Sequence, residues 1–143
     1  MGYYIEQRGG AFFIDKKHFP DVIKAIHNLA NYPDMMGGGS YEGGKTISKH
    51  YSWVKMSFVN STDLENIFNC WRWNINFDDD GNINNLFFDG EKMGDDRVLL
   101  DAIAPFVKEG SFIEMCGEDN DLWRWKFTNK ICKEVSARIV WDE

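Results

Sequence analysis

The segment Leu122-Trp123-Arg124-Trp125-Lys126-Phe127 alternates large rings with cations at a strict period of two. Successive side chains on a strand point to opposite faces, so Trp123, Trp125 and Phe127 share one face while Arg124 and Lys126 share the other. Three rings on one face must be covered, and two charges on the other must meet water. That one-sided pattern belongs to antiparallel sheets, because parallel strands are buried on both faces and read as near-continuous apolar runs. The expected fold is α+β, with helices packed on one side of a mainly antiparallel sheet.

The remaining patterning extends this reading to eight strands and three helices in the order ββαβαββαβββ. Tyr3 to Glu6 and Ala11 to Ile14 flank Arg8-Gly9-Gly10, which predicts an opening hairpin. Pro20 suits the first turn of a helix that places Phe19, Val22, Ile26, Leu29 and Ala30 on one face and ends before Pro33. The glycines between Gly37 and Gly44 read as a mobile loop, and the alternation over 51–58 as a strand. Thr62 and Glu65 form a capping-box pattern ahead of Leu64, Ile67, Phe68 and Trp71. Asn74–Phe77 and Ile83–Phe88 read as a hairpin around Asp78-Asp79-Asp80-Gly81-Asn82. Acids at Asp95 and Asp96 mark the start of a third helix, which Pro105 should shorten. Strands over 112–116, 122–127 and 131–141 complete the set, the last with Ile131, Val135, Ala137, Ile139 and Trp141 on one face.

At 143 residues, 43% hydrophobic, the chain is sized for one core, and a single domain over 1–143 is expected. No apolar run reaches the ~18 residues that a membrane span requires, and no secretion signal opens the chain. Cys70, Cys116 and Cys132 are odd in number and lack a C-x-x-C spacing, which favours free thiols and a cytosolic setting.

The net charge of −7 is unevenly distributed. Residues 61–121 hold 15 acidic and 4 basic side chains, a local net of −11. Such a bias repels phosphate backbones and favours basic protein partners. Arg72, Arg124 and Lys126 interleave with tryptophans as in single-strand binders, but alternation within a strand points those rings into a core instead.

Several strings invite a catalytic or ligand-binding reading. Gly39 to Thr46 matches G-x-x-x-x-G-K-[ST], whose backbone amides, lysine and hydroxyl cradle phosphates. That loop needs a strand before it and a helix after it, and here a helix precedes and strand-like sequence follows. The residues retained for an alternative ligand site are Gly44, Lys45 and Thr46. The Asp78–Asn82 string lacks the glycine and glutamate that an EF-hand carries at positions six and twelve, where Ile83 and Asp89 stand. His18, His27 and His50 show no metal-ligand spacing, and neither a metal nor a cofactor is expected. Glu6 and Glu114 would serve acid/base chemistry only if folding brought them together.

The segment from Ile113 to Phe127, with its Gly117-Glu118-Asp119-Asn120-Asp121 turn followed by Leu122-Trp123-Arg124-Trp125, resembles small uncharacterised proteins of bacteria and their phages. The resemblance spans about a tenth of the chain. It implies a setting in which small stoichiometric inhibitors, including anti-defence and immunity proteins, are common. Together with the charge bias, it gives the expectation of a non-enzymatic acidic protein that binds and inhibits a basic macromolecule. The expected partner-binding residues are Asp78, Asp79, Asp80, Asp95, Asp96, Glu118, Asp119 and Asp121. The alternative is a small-ligand or nucleotide-binding domain closed by the 37–46 loop.

Overall fold

In the computed structural model, which describes residues 2–43 and 45–142, the alternating segment is strand β7 (Leu122–Thr128), with Trp123, Trp125 and Phe127 buried and Arg124 and Lys126 exposed. It lies inside a four-stranded antiparallel sheet of order β1-β6-β7-β8, formed with β1 (Ile5–Ala11), β6 (Phe112–Gly117) and β8 (Ile131–Ser136). Two antiparallel hairpins accompany it: β2 (Gly38–Glu42) with β3 (Lys45–His50), and β4 (Trp73–Phe77) with β5 (Ile83–Phe88). The α-helices are α1 (Phe19–Asn28), α2 (Leu64–Cys70) and α3 (Asp96–Ile103). The described residues thus form eight strands and three α-helices, an α+β fold in the order βαββαββαβββ.

That order departs from expectation in two places. Arg8-Gly9-Gly10 is no turn: β1 runs straight through it, with a bulge at Arg8, and pairs with β6 more than a hundred residues away. Gly10 is required by proximity, since a Cβ there would lie 2.7 Å from the Phe112 carbonyl oxygen. The second departure is the glycine-rich stretch, which forms strand β2 in place of a loop. Its hairpin ends at His50, and the alternation over 51–58 falls instead on a turn and a 3₁₀ helix, Met56–Asn60. Trp53, at φ 66°, interrupts any strand there.

Helix α1 begins with Pro20 in its first turn and buries Val22 and Ile26. Helix α2 is capped one residue later than its sequence suggests, because the Asp63 carboxylate accepts from Glu65 N at 3.1 Å. Helix α3 buries Leu99, Leu100 and Ile103, and Pro105 sits in the 3₁₀ turn that ends it. The buried residues of the three helices share one core with Ile113, Met115, Trp125 and Phe127 of the sheet. Edge-to-face ring contacts run through the core, with Trp73 and Trp125 at 6.3 Å and Trp123 and Trp125 at 5.8 Å between centroids.

The last strand is shorter than predicted, ending at Ser136, and its register sets its faces. The two-residue turn Asn129-Lys130 pairs Thr128 with Ile131 and Phe127 with Cys132. Residues directly opposite on antiparallel strands share a face, so Cys132 and Glu134 lie with the rings while Ile131 and Val135 face out. Beyond β8, Ile139 and Trp141 are 82% and 84% exposed. No helix among the described residues is long and apolar enough to cross a membrane.

Candidate functional site

The outer edge of β1 meets β5 along a seam that is hydrogen-bonded directly only at its ends. At one end Ile5 N donates to Glu91 O at 2.9 Å, and at the other Ile14 and Ile83 exchange bonds at 2.9 and 3.0 Å. Between them the bulge at Arg8 pulls the strands apart. The Gln7 side chain spans the gap, its Nε2 donating to Leu86 O at 3.0 Å and its Oε1 accepting from Phe88 N at 2.7 Å. One amide side chain therefore replaces a pair of ladder bonds and splices the β4–β5 hairpin onto the main sheet.

Where the strands part, the outer surface opens into two adjoining grooves that share Glu6 and Gly90. The first, about 480 Å³, is lined by Tyr4, Glu6, Glu91, Cys116 and Glu118, with no lysine or arginine in its lining. The second, about 400 Å³, continues past Arg8 and the exposed ring of Phe87. The β6–β7 turn is pinned to the N-terminal segment beside the first groove. Tyr4 N donates to Glu118 Oε1 at 3.1 Å, Tyr3 Oη donates to Asp121 Oδ2 at 2.6 Å, and Asp119 N donates to Tyr3 Oη at 3.2 Å. The bond to Asp121 pushes the Tyr3 phenol up from its ordinary value. Gly117 is fitted to the Tyr3 ring, which occupies the space a Cβ would take.

The eight acids expected on one binding face are separated by the fold. Asp96 is corrected outright, being 3% exposed in a buried network. Its carboxylate accepts from Arg72 Nη2 at 3.0 Å, Trp73 Nε1 at 3.1 Å and Gly94 N at 3.0 Å. Burial pushes this carboxyl up, against the opposing pull of the Arg72 guanidinium and the hydrogen bonds. Asp95 is also structural: its Oδ2 accepts from Gly37 N at 2.8 Å and Ser52 N at 2.7 Å, tying three loops together. Asp78 caps its own turn through Asn82 N and Asp80 N, and these bonds hold its carboxyl below the usual range. Asp79 and Asp80 are exposed, with Lys16 Nζ donating to the Asp80 carbonyl at 2.8 Å. That turn lies by Ile14, whereas the 117–121 turn lies by Tyr3 and Tyr4. The seven residues of β1 separate the two by roughly 20–25 Å.

Glu118 therefore remains at the groove, with Asp119 and Asp121 beside it, and the residues that complete it are Glu6 and Glu91. Glu91 follows β5 in a segment with no strand or helix pattern, and the bond from Ile5 N to its carbonyl brings it to the groove that Glu118 also lines. Glu6 and Glu114 share the outer face without converging: Glu6 lies opposite Cys116, while Glu114 is paired with Arg124 Nε at 2.8 Å. Cys116 Sγ donates to Glu6 Oε1 at 3.4 Å, and burial together with this acidic neighbour pushes the thiol up. A thiol shifted that way is a poor nucleophile at neutral pH. Among the described residues, no group of three or more His, Cys, Asp or Glu is arranged to hold a metal ion.

The alternative ligand site does not take the form of a phosphate loop. Gly44 lies outside the described residues, and Lys45 and Thr46 open strand β3 where a phosphate loop would begin a helix. Trp123 and Trp125 are core residues, unavailable as stacking platforms. Comparison with known protein families, curated proteins and solved structures returned no match to this chain.

Proposed function

We propose that the protein is a non-enzymatic binding protein of the cytosol. It holds a basic segment of a partner protein in the acidic groove along the β1–β5 seam and thereby inhibits that partner. The observation that carries this reading is that Glu6, Glu91 and Glu118 line one groove without a lysine or arginine in its lining, with the Lys92 ammonium beside it over the Tyr4 ring at 5.0 Å. Carboxylates grouped in a concave site focus the field, which raises the association rate of cationic partners and discriminates against acidic ones. The exposed ring of Phe87 in the adjoining groove adds apolar surface for the stems of lysine or arginine side chains. The resemblance of 113–127 to phage and bacterial proteins supports an anti-defence or immunity role.

The test begins with affinity capture from host lysate at low and moderate salt, followed by surface-capture kinetics on the partner recovered. A Glu6→Gln, Glu91→Gln, Glu118→Gln variant keeps the hydrogen-bond acceptors to Tyr4 and Cys116 while removing three charges. Its association rate should fall by about 10-fold at low salt, with a flatter salt dependence and unchanged circular dichroism. Association at the wild-type rate with the wild-type salt slope would refute the groove as the binding surface. Full binding loss in a Lys45→Ala variant would favour the 37–46 loop instead.

A further inference from the structure

We propose that a second cleft, at the far end of β1 from the acidic groove, binds an anionic small molecule that carries a phosphate or carboxylate on a planar ring. The cleft encloses about 590 Å³ between the segment after β1, the segment after α3 and the Asn129-Lys130 turn. That volume is within the range of small-molecule sites. In a chain of net charge −7, three lysines converge here: Lys17, Lys108 and Lys130.

The two acids in the lining each accept a backbone hydrogen bond and keep their charge, so the three lysines leave the lining at net +1. Asp15 Oδ1 accepts from Lys17 N at 2.9 Å, and Glu109 Oε1 accepts from Asn129 N at 2.8 Å. The rings of Phe13 and Phe106 line the same cleft, with His18 tilted against Phe106 at 5.9 Å and Lys108 Nζ over Phe13 at 5.4 Å. A ring bearing an anion can take the place of the Lys108 ammonium over Phe13, with that ammonium swinging off the ring to meet the charge.

The backbone of the turn supplies an independent observation. Asn129 and Lys130 have φ of 53° and 63°, both left-handed, as a two-residue hairpin turn requires. Asparagine tolerates that conformation, but the second position is ordinarily glycine, which carries no steric penalty there. Lysine at 130 gives up local stability and sets an ammonium at the rim of the cleft. A strained residue retained beside a cavity is the pattern expected where the side chain has a task.

The experiment is a ¹H–¹⁵N NMR titration of the full chain with phenyl phosphate, benzoate, inorganic phosphate and phenol. Phenyl phosphate or benzoate should shift the amides of Phe106, Lys108, Asn129 and Lys130, and whichever binds tighter identifies the anion. Inorganic phosphate and phenol, each lacking one half of the ligand, should bind at least about 10-fold more weakly. Lys130→Gly should raise the melting temperature and weaken the favoured ligand at least about 5-fold, and Lys108→Ala should weaken it without stabilising the fold. Opposite movement of stability and affinity in Lys130→Gly is something a purely structural lysine would not produce. Unchanged affinity in both variants, or equal shifts at Lys24 and Lys55 away from the cleft, would overturn the assignment.

Discussion

Replacing Gln7 with leucine would keep the volume of the side chain that splices β5 to β1 and delete both of its hydrogen bonds to β5, along with a longer one to Gly9 O at 3.3 Å. The two bonds to β5 are Nε2 to Leu86 O at 3.0 Å and Phe88 N to Oε1 at 2.7 Å. Each contributes a net ~1 kcal/mol, and a donor or acceptor left unpaired in a part-buried place costs ~1–3 kcal/mol unless water reaches it. The groove outside the seam admits water to some of this edge, which places the expected loss at about 2 kcal/mol, or a melting-temperature drop of about 6–8 °C. Guanidinium unfolding with an unchanged slope would measure it, and the exchange rate of the Phe88 amide would localise it. Gln7→Glu separates the two bonds, because a carboxylate still accepts from Phe88 N but cannot donate to Leu86 O. It should lie between wild type and leucine. A loss below about 0.5 kcal/mol in Gln7→Leu, with Phe88 exchanging at its wild-type rate, would show that the hairpin is held by packing alone.

Two further perturbations follow from the carboxylates. Asp96→Asn leaves the Arg72 guanidinium without its countercharge in a buried site and should destabilise by about 3–5 kcal/mol in denaturant unfolding; an effect under about 1 kcal/mol would mean that Arg72 is satisfied by Lys92 O and water. Asp78 and Glu109 are both held below their ordinary values, Asp78 by the Asn82 backbone and Glu109 by Thr128 and Asn129. Their stabilisation is therefore complete above about pH 5.5, beyond the ordinary carboxylate values, and is lost as the pH falls through the folded values. Melting temperature against pH should show an acid limb that Asp78→Asn and Glu109→Gln each flatten, while Asp96, shifted the other way, contributes with the opposite sign.

Elements whose pattern is local were legible in the sequence. Helix α1, the β4–β5 hairpin, the start of α3 and the burial of Trp123, Trp125 and Phe127 each follow from spacing within about ten residues. What the sequence did not show depends on distant pairing. Arg8-Gly9-Gly10 has the composition of a turn, yet Gly10 serves the close approach of Phe112. Ile131 and Val135 read as an apolar face, but the turn at Asn129-Lys130 fixes a register that turns them to solvent. The acidic groove was half visible: Glu118 stands out in its turn, while Glu6 and Glu91 join it only because β1 pairs with β6 and ends against the segment after β5.

The division of the acids carries the functional argument further than their number does. A local net of −11 describes both charges that build the fold and charges that do not. Asp95 and Asp96 hold loops, Asp78 and Glu109 hold turns, Asp101 pairs with Arg97 at 2.8 Å and Glu114 with Arg124 at 2.8 Å. Among the carboxylates of this region that make no ion pair with another described residue, Glu91 and Glu118 share a groove with Glu6 of β1. Like charges placed together repel, and glutamine would serve equally as acceptor for Tyr4 N at Glu118 and for the Cys116 thiol at Glu6, so these bonds do not themselves require three charges. The proposed basic partner would convert that mutual repulsion into attraction on association and into discrimination against acidic competitors.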